Sequence, residues 1–217
     1  MIRLKKWMMN PCQTACHVLS DGSGEAIIID ACAYYPKERE NLIKYIEKEN
    51  LKPVHNLLTH GHFDHLLCND LIRDTYGLLP ELHKGDATII SMTKERINEV
   101  LGESNFAYDI PMPEHYLEDG DIITFGNHYL KVINTPGHTP GSCFFYCEEE
   151  GFAFSGDTLF AMSIGRSDLP GGSKEELANS LRYIIDYLPE ETIIYPGHTK
   201  KTTIGHEKAC NPYLTNI

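Results

Sequence analysis

Residues 57–70 read "LLTHGHFDHLLCND", so that His60, His62, Asp64 and His65 crowd six positions directly after an apolar run. Imidazoles at this density serve no packing purpose, whereas imidazole nitrogens and carboxylate oxygens are ordinary ligands of divalent ions. In an extended turn His60 and His62 point the same way and can reach one ion, because alternate residues share a side. Asp64 and His65 lie where the chain turns toward a helix and address a neighbouring position. The cluster thus offers two ligands to each of two ions.

Three further residues occupy comparable places. "KVINTPGH" ends in His138, "FAFSGD" in Asp157 and "TIIYPGH" in His198, each after a short apolar run, as His60 follows "NLLT". Strand ends hold side chains rigidly, and the loops leaving them can converge on one rim of a sheet. His138 and His198 could complete one site each, and Asp157, with two oxygens, could bridge. Seven N and O donors without thiolate suit a pair of borderline divalent ions, zinc first, with iron or manganese as alternatives. His17, His55, His115, His128 and His206 stand alone and read as ordinary core or surface residues. His83, also after a short strand, reads as an ordinary residue first, with an orienting or site-edge role as the alternative.

The elements that must carry these residues alternate between β-rich runs and amphipathic stretches. "EAIIID" and "VHNLLTH" read as buried strands, and "PKERENLIKYIEKEN" as a helix with Leu42, Ile43 and Ile46 on one face. "HLLCNDLIRDTYG" reads as a helix closed by Gly77, residues 84–105 as a loosely patterned helical stretch, and residues 86–120 as either lid or packing element. "DIITF", "HYLKVINT", "SCFFYC" and "GFAFS" follow as closely spaced strands, with a turn at Gly126-Asn127. "SKEELANSLRYIIDYL" has a capping box in Ser173 and Glu176 and an apolar stripe of Leu177, Leu181, Ile184 and Leu188. "TIIYPGH" supplies a last strand. The mixture predicts a sheet-containing α/β core covered by helices.

At 217 residues, 41% hydrophobic and 23% charged, the chain reads as one folded, soluble domain spanning 1–217. A net charge of −12 argues against nucleic acid or anionic membrane as a partner. No signal peptide is read at the N-terminus, and no apolar stretch reaches the ~18 residues of a membrane span. Seven cysteines, an odd count, predict reduced thiols and a cytoplasmic protein. The pairs Cys12/Cys16 and Cys143/Cys147 read as small core residues, since neither has the C-x2-C form of a zinc site.

Taken in order, "THGHFDH", "TPGHTPGS", "SGDTLF", "GRSDLPGG" and "YPGHTKKTTIGHEKACNP" resemble the metallo-β-lactamase superfamily, and within it the glyoxalase II-like hydrolases. The resemblance runs from "EAIIID" to "NP", nearly the whole chain. It implies a four-layer αββα sandwich with two metals in a cleft at one edge of the sheets. It also implies that His60, His62 and His138 bind the first metal and Asp64, His65 and His198 the second, with Asp157 bridging and Asp64 the candidate catalytic carboxylate. A metal-bound hydroxide would attack the carbonyl of a small-molecule thioester or ester. Asp157, where zinc β-lactamases commonly carry cysteine, disfavours lactam hydrolysis. Arg166 in "IGRSDLPGG" becomes a candidate contact to an anionic substrate.

Two positions depart from the family pattern: Cys68 stands where a glycine is frequent, and "IDAC" where Asp-Pro-Gly is common. Larger glyoxalase II enzymes also carry a helical C-terminal domain that helps hold glutathione and that this sequence lacks, which leaves the substrate open. The alternative from another class is a mononuclear iron oxygenase like the persulfide dioxygenases, with His60, His138 and Asp157 as its facial triad. A metal-binding protein without catalysis is a third reading.

Overall fold

The computed structural model describes residues 1–102 and 108–214. Residues 103–105 of the helical stretch expected over 84–105 lie outside them. A four-stranded sheet comes first, in the order β1 (Arg3–Met9), β2 (Thr14–Ser20), β3 (Glu25–Ile29) and β4 (Lys52–Leu57). Helix α1 (Pro36–Lys48) crosses between β3 and β4, which pair in parallel, and α2 (Asn69–Tyr76) follows a single 3-10 turn at Phe63–His65. A short parallel pair, β5 (Leu82–His83) and β6 (Tyr116–Leu117), brackets α3 (Ala87–Leu101). The second sheet contains β7 (Ile122–Phe125), β8 (His128–Asn134), β9 (Cys143–Cys147) and β10 (Phe152–Gly156). After the small hairpin of β11 (Leu159–Phe160) and β12 (Ser163–Ile164) comes α4 (Lys174–Tyr187). Then β13 (Ile193–Pro196) and β14 (Thr202–Thr203) complete the six-stranded sheet, and α5 (Ile204–Cys210) ends the series.

Strand alternation sorts the apolar residues into layers. Ile27, Ile29 and Leu57 of the first sheet meet Phe125, Val132, Phe145 and Phe154 of the second in the core between the sheets. The intervening Ile28, with Val18, turns outward onto Leu42 and Ile46 of α1 and Ile72 of α2. On the far side, Phe144, Tyr146 and Ala153 pack against Leu177, Leu181 and Ile184 of α4 and Ile204 of α5. This is the expected αββα sandwich. The stripe predicted for α4 is buried in full, each side chain contributing roughly 1.5–3 kcal/mol, and Ser173 Oγ accepts the hydrogen bond from Glu176 N at its start.

Several details differ from the sequence reading. The N-terminal hairpin β1–β2 and the seven-residue α5 were not expected. β1 carries Arg3, Lys5 and Lys6 and alternates only weakly, so that its pairing with β2 rather than its own pattern makes it a strand. The α2 helix begins only at Asn69, because Phe63–His65 is taken up by the tighter 3-10 turn. Cys16, Cys143 and Cys147 are buried as expected, but Cys12 is exposed. The β1–β2 turn swings outward there, with Asn10 and Gln13 both at φ +56°.

His17, in β2, is buried beside the Phe154 and Tyr195 rings, and neither ring nitrogen has a hydrogen-bond partner. Burial, and then the charges of Lys6 and His65, push its pKa down to about 3. In the unfolded chain the imidazole gains its proton near 6.5, so acidification below that value favours unfolding until the folded group titrates near 3. His17→Leu is expected to raise the unfolding free energy by about 1–2 kcal/mol at pH 7, with the gain widening between pH 6.5 and pH 3. Urea titrations across that range check it, and a less stable variant contradicts it.

Candidate metal centre

The segment leaving β4 brings His60, His62, Asp64 and His65 to one edge of the sandwich, where the ends of β8, β10 and β13 deliver His138, Asp157 and His198. β10 and β13 run parallel, and β8 is antiparallel to the β9 strand that separates it from β10, so all three ends point the same way. Two backbone bonds join the sheets at this edge, Cys143 N to Thr59 O at 2.9 Å and Ala15 N to Gly197 O at 2.7 Å.

All seven side chains expected from the sequence come together. Ligand-capable atoms of His60, His62 and His138 lie within 4.8 Å of one another, as do those of Asp64, His65 and His198, and those of His60, His65 and Asp157. His138 Nε2 stands 3.3 Å from His60 Nε2 and 2.9 Å from His62 Nδ1. His198 Nε2 is 3.3 Å from both Asp64 Oδ2 and Asp157 Oδ2, while His65 Nε2 is 3.4 Å from Asp157 Oδ1. Asp157 Oδ2 is also 3.7 Å from His138 Nε2, so this carboxylate lies between residues of both triads, as a bridging carboxylate would.

The remaining ring nitrogens are anchored away from the cleft. His138 Nδ1 bonds the Arg166 carbonyl at 2.7 Å, His65 Nδ1 the Asp30 carboxylate at 2.9 Å, and His60 Nδ1 the Thr59 hydroxyl at 3.2 Å. This arrangement fixes which nitrogen faces the cleft. Thr14 Oγ1 donates to Asp64 Oδ2 at 2.7 Å, and Asn10 Nδ2 donates to the Asp64 and Cys32 carbonyls. Asp86, fully buried, accepts from Gly61 N, Thr139 Oγ1 and Gly141 N at 2.6 to 2.8 Å, joining the His62 loop to the His138 loop. His83 acts one turn back: its Nδ1 accepts from Gly85 N and caps the turn that presents Asp86.

Charge is divided across the cleft. Burial holds His60 well below the usual imidazole range, and burial with the nearby His138 holds His62 at about 4. Burial opposes charge on His65 and His198 as well, but there the carboxylates outweigh it. Asp64, Asp30 and Asp157 raise His65, and Asp157 with Asp64 carries His198 up to about 10. Burial likewise opposes ionisation of Asp64 and Asp157, yet the neighbouring imidazoles hold Asp64 at about 2 and keep Asp157 well below the usual carboxylate range.

The donor set fits a pair of divalent ions. His65 Nε2 and Asp157 Oδ1 are buried without hydrogen-bond partners. His60 Nε2 and His138 Nε2 face each other at 3.3 Å while the Nδ1 of each is bonded to an oxygen behind it, and two lone pairs so opposed are relieved by a positive ion between them. Gly197 leaves the space open: a Cβ there would lie 2.4 Å from Asp157 Oδ1 and 2.7 Å from His65 Cε1.

A cleft of about 640 Å³ opens over the cluster, lined in part by Ile89, Met92 and Thr93 of α3, so that the stretch read as lid or packing element forms one wall. Arg166 stands at its rim, but its guanidinium is held by Asp168 through two bonds of 2.7 and 2.8 Å. Of the residues that position the ligands, Asp86, Thr14 and Asn10 were not singled out from the sequence. Asp86 shows only as a lone aspartate after a short strand, and the other two depend on the unforeseen hairpin.

Residues 9–198 match the Metallo-beta-lactamase superfamily, and the chain belongs to that superfamily. It is 34% identical over 206 residues to the hydroxyacylglutathione hydrolase GloC of Haemophilus influenzae, covering 94% of each chain. Among solved structures it resembles the BLEG-1 B3 metallo-beta-lactamase (TM-score 0.87, 36% identity, 98% of this chain and 100% of that one). It also resembles TTHA1623 in a di-iron-bound form (TM-score 0.84, 33% identity, 97% and 100%).

Asp30→Asn weakens the carboxylate bond that orients His65, and is expected to lower metal affinity about 10–100-fold. Competition with a chromophoric chelator measures it, and unchanged affinity excludes an orienting role for Asp30.

Proposed function

We propose that this protein is a metal-dependent hydrolase of thioesters or related esters, similar in action to hydroxyacylglutathione hydrolases. His60, His62 and His138 hold one divalent ion, Asp64, His65 and His198 hold the second, and Asp157 lies between. The observation that carries this reading is the meeting of two ligand triads at Asp157 beneath an open cleft. Divalent ions there, zinc first with iron or manganese as alternatives, would supply hydroxide near neutral pH and stabilise charge developing on the carbonyl oxygen. Kinship with a named hydroxyacylglutathione hydrolase over nearly the full length supports thioester chemistry.

The chain's own groups prepare the rest. The Arg166 carbonyl and the Asp30 carboxylate hold the Nδ1 atoms of His138 and His65, leaving each Nε2 toward the cleft. Thr14 fixes Asp64 Oδ2. Asp64, ionised at neutral pH, is the catalytic carboxylate, able to orient an attacking water as hydrogen-bond acceptor. The Arg166 side chain borders the substrate at the rim.

Protein purified without added metal is expected to carry close to two ions per chain and to hydrolyse a thioester, with chelation abolishing turnover. His62→Ala and Asp157→Ala are each expected to lose metal and at least about 10³-fold in kcat/KM, since each removes a ligand on which the hydroxide depends. Full activity in either variant refutes the ligand assignment. One iron per chain with oxygen uptake on a persulfide replaces the hydrolase with a dioxygenase. The substrate panel includes a β-lactam because one similar structure is named a lactamase.

A further inference from the structure

The cleft over the ligand cluster differs sharply between floor and walls. Its floor holds the histidines and aspartates already described. Its walls are apolar: Ile89 and Met92 on one face of α3, Phe63 beside the first ligands, Phe160 and Ile164 of the β11–β12 hairpin, and Leu169 in the loop that follows. Thr93 belongs to the same face of α3, but its hydroxyl is donated to Gly61 O at 2.9 Å. All of these apolar residues except Ile89 are only half-buried, so their apolar surface faces the cleft and is available to an occupant. At about 640 Å³ the space falls within the ~300–1,000 Å³ of small-molecule sites.

Charge on the rim points the same way. Arg166 is the one Lys or Arg among the lining residues, and its guanidinium fork is already closed on Asp168. That exposed pair is weak and could open. A substrate carboxylate taking the place of Asp168 would, however, leave two like charges side by side at the rim of a chain of net charge −12. An uncharged apolar group meets none of these costs and covers the walls.

We infer that the substrate is a thioester or ester bearing an uncharged, apolar group that docks against Met92, Phe160, Ile164 and Leu169, and not one whose thiol carrier is recognised through carboxylates, as glutathione would be. This rests on the hydrolase reading above.

Four thioesters made by crossing two acyl groups, acetyl and phenylacetyl, with two thiols, glutathione and the uncharged N-acetylcysteamine, test it on the metal-loaded protein. The phenylacetyl ester of N-acetylcysteamine is expected to exceed the acetyl ester of glutathione at least about tenfold in kcat/KM, the scale of one added apolar group in a fitted pocket. Met92→Glu and Leu169→Glu are each expected to cut that ratio at least fivefold. Preference for glutathione with either acyl group, or a ratio unmoved in both variants, overturns the inference. In parallel, calorimetry with a non-hydrolysable phenethyl thioether of N-acetylcysteamine is expected to show binding with a negative heat-capacity change that Leu169→Glu abolishes. Turnover of none of the four esters overturns the hydrolase reading. Absence of thioether binding overturns the apolar subsite whatever the turnover.

Discussion

Crowding of like groups is the constraint on which this end of the molecule depends. Five imidazoles and two carboxylates lie within a few ångströms of one another in a half-closed cleft, and left to themselves they would turn outward into water. Four of them are fixed from behind: His65 by Asp30, His138 by the Arg166 carbonyl, His60 by Thr59 and Asp64 by Thr14. Asp86 fastens the loops themselves through three short hydrogen bonds, and burial raises its pKa only in competition with those same donors. The sandwich is the frame for these restraints. Two sheets packed face to face place four strand ends at one edge, and backbone bonds between the sheets keep that edge from opening.

Close backbone approach completes the frame. Gly137, at φ +134°, lets the turn carrying His138 lie against the start of α4, where a Cβ would stand 2.2 Å from Leu177 N. Gly197 does the same beneath Asp157 and His65. The helix that looks purely structural in the sequence thus sets the position of one histidine, and a glycine beside another histidine sets the room left for an ion.

The ligands were legible because each follows its own short apolar run, a local signal that needs no knowledge of the partner strands. The same holds for α4, whose cap and stripe lie within sixteen residues, and for Ile27 to Ile29, whose burial on both faces matches a continuous apolar run. What stayed hidden is what only packing creates. β1 reads as polar because its strand identity comes from β2. Cys12 looked like Cys16 until the turn between the strands swung it outward. Asp86 and Thr14 acquire their roles from donors or acceptors at least 25 positions away. Arg166 reads in the sequence as a candidate contact to an anionic substrate, and the structure closes its guanidinium on Asp168, two residues on.

The hairpin at the start of the chain has a consequence for the order of events in the cell. Thr14 reaches Asp64, and Ala15 donates to Gly197, directly before His198. The ion-holding arrangement is therefore closed by contacts between the earliest and the latest parts of the sandwich, separated by more than 180 positions. During synthesis at roughly 5–20 residues per second, roughly 6 to 26 seconds pass between the emergence of His65 and that of β13. Throughout that interval His60, His62, Asp64 and His65 are without the partner groups of the later strands. The cluster is thus completed only when β13 docks and brings His198 to the edge.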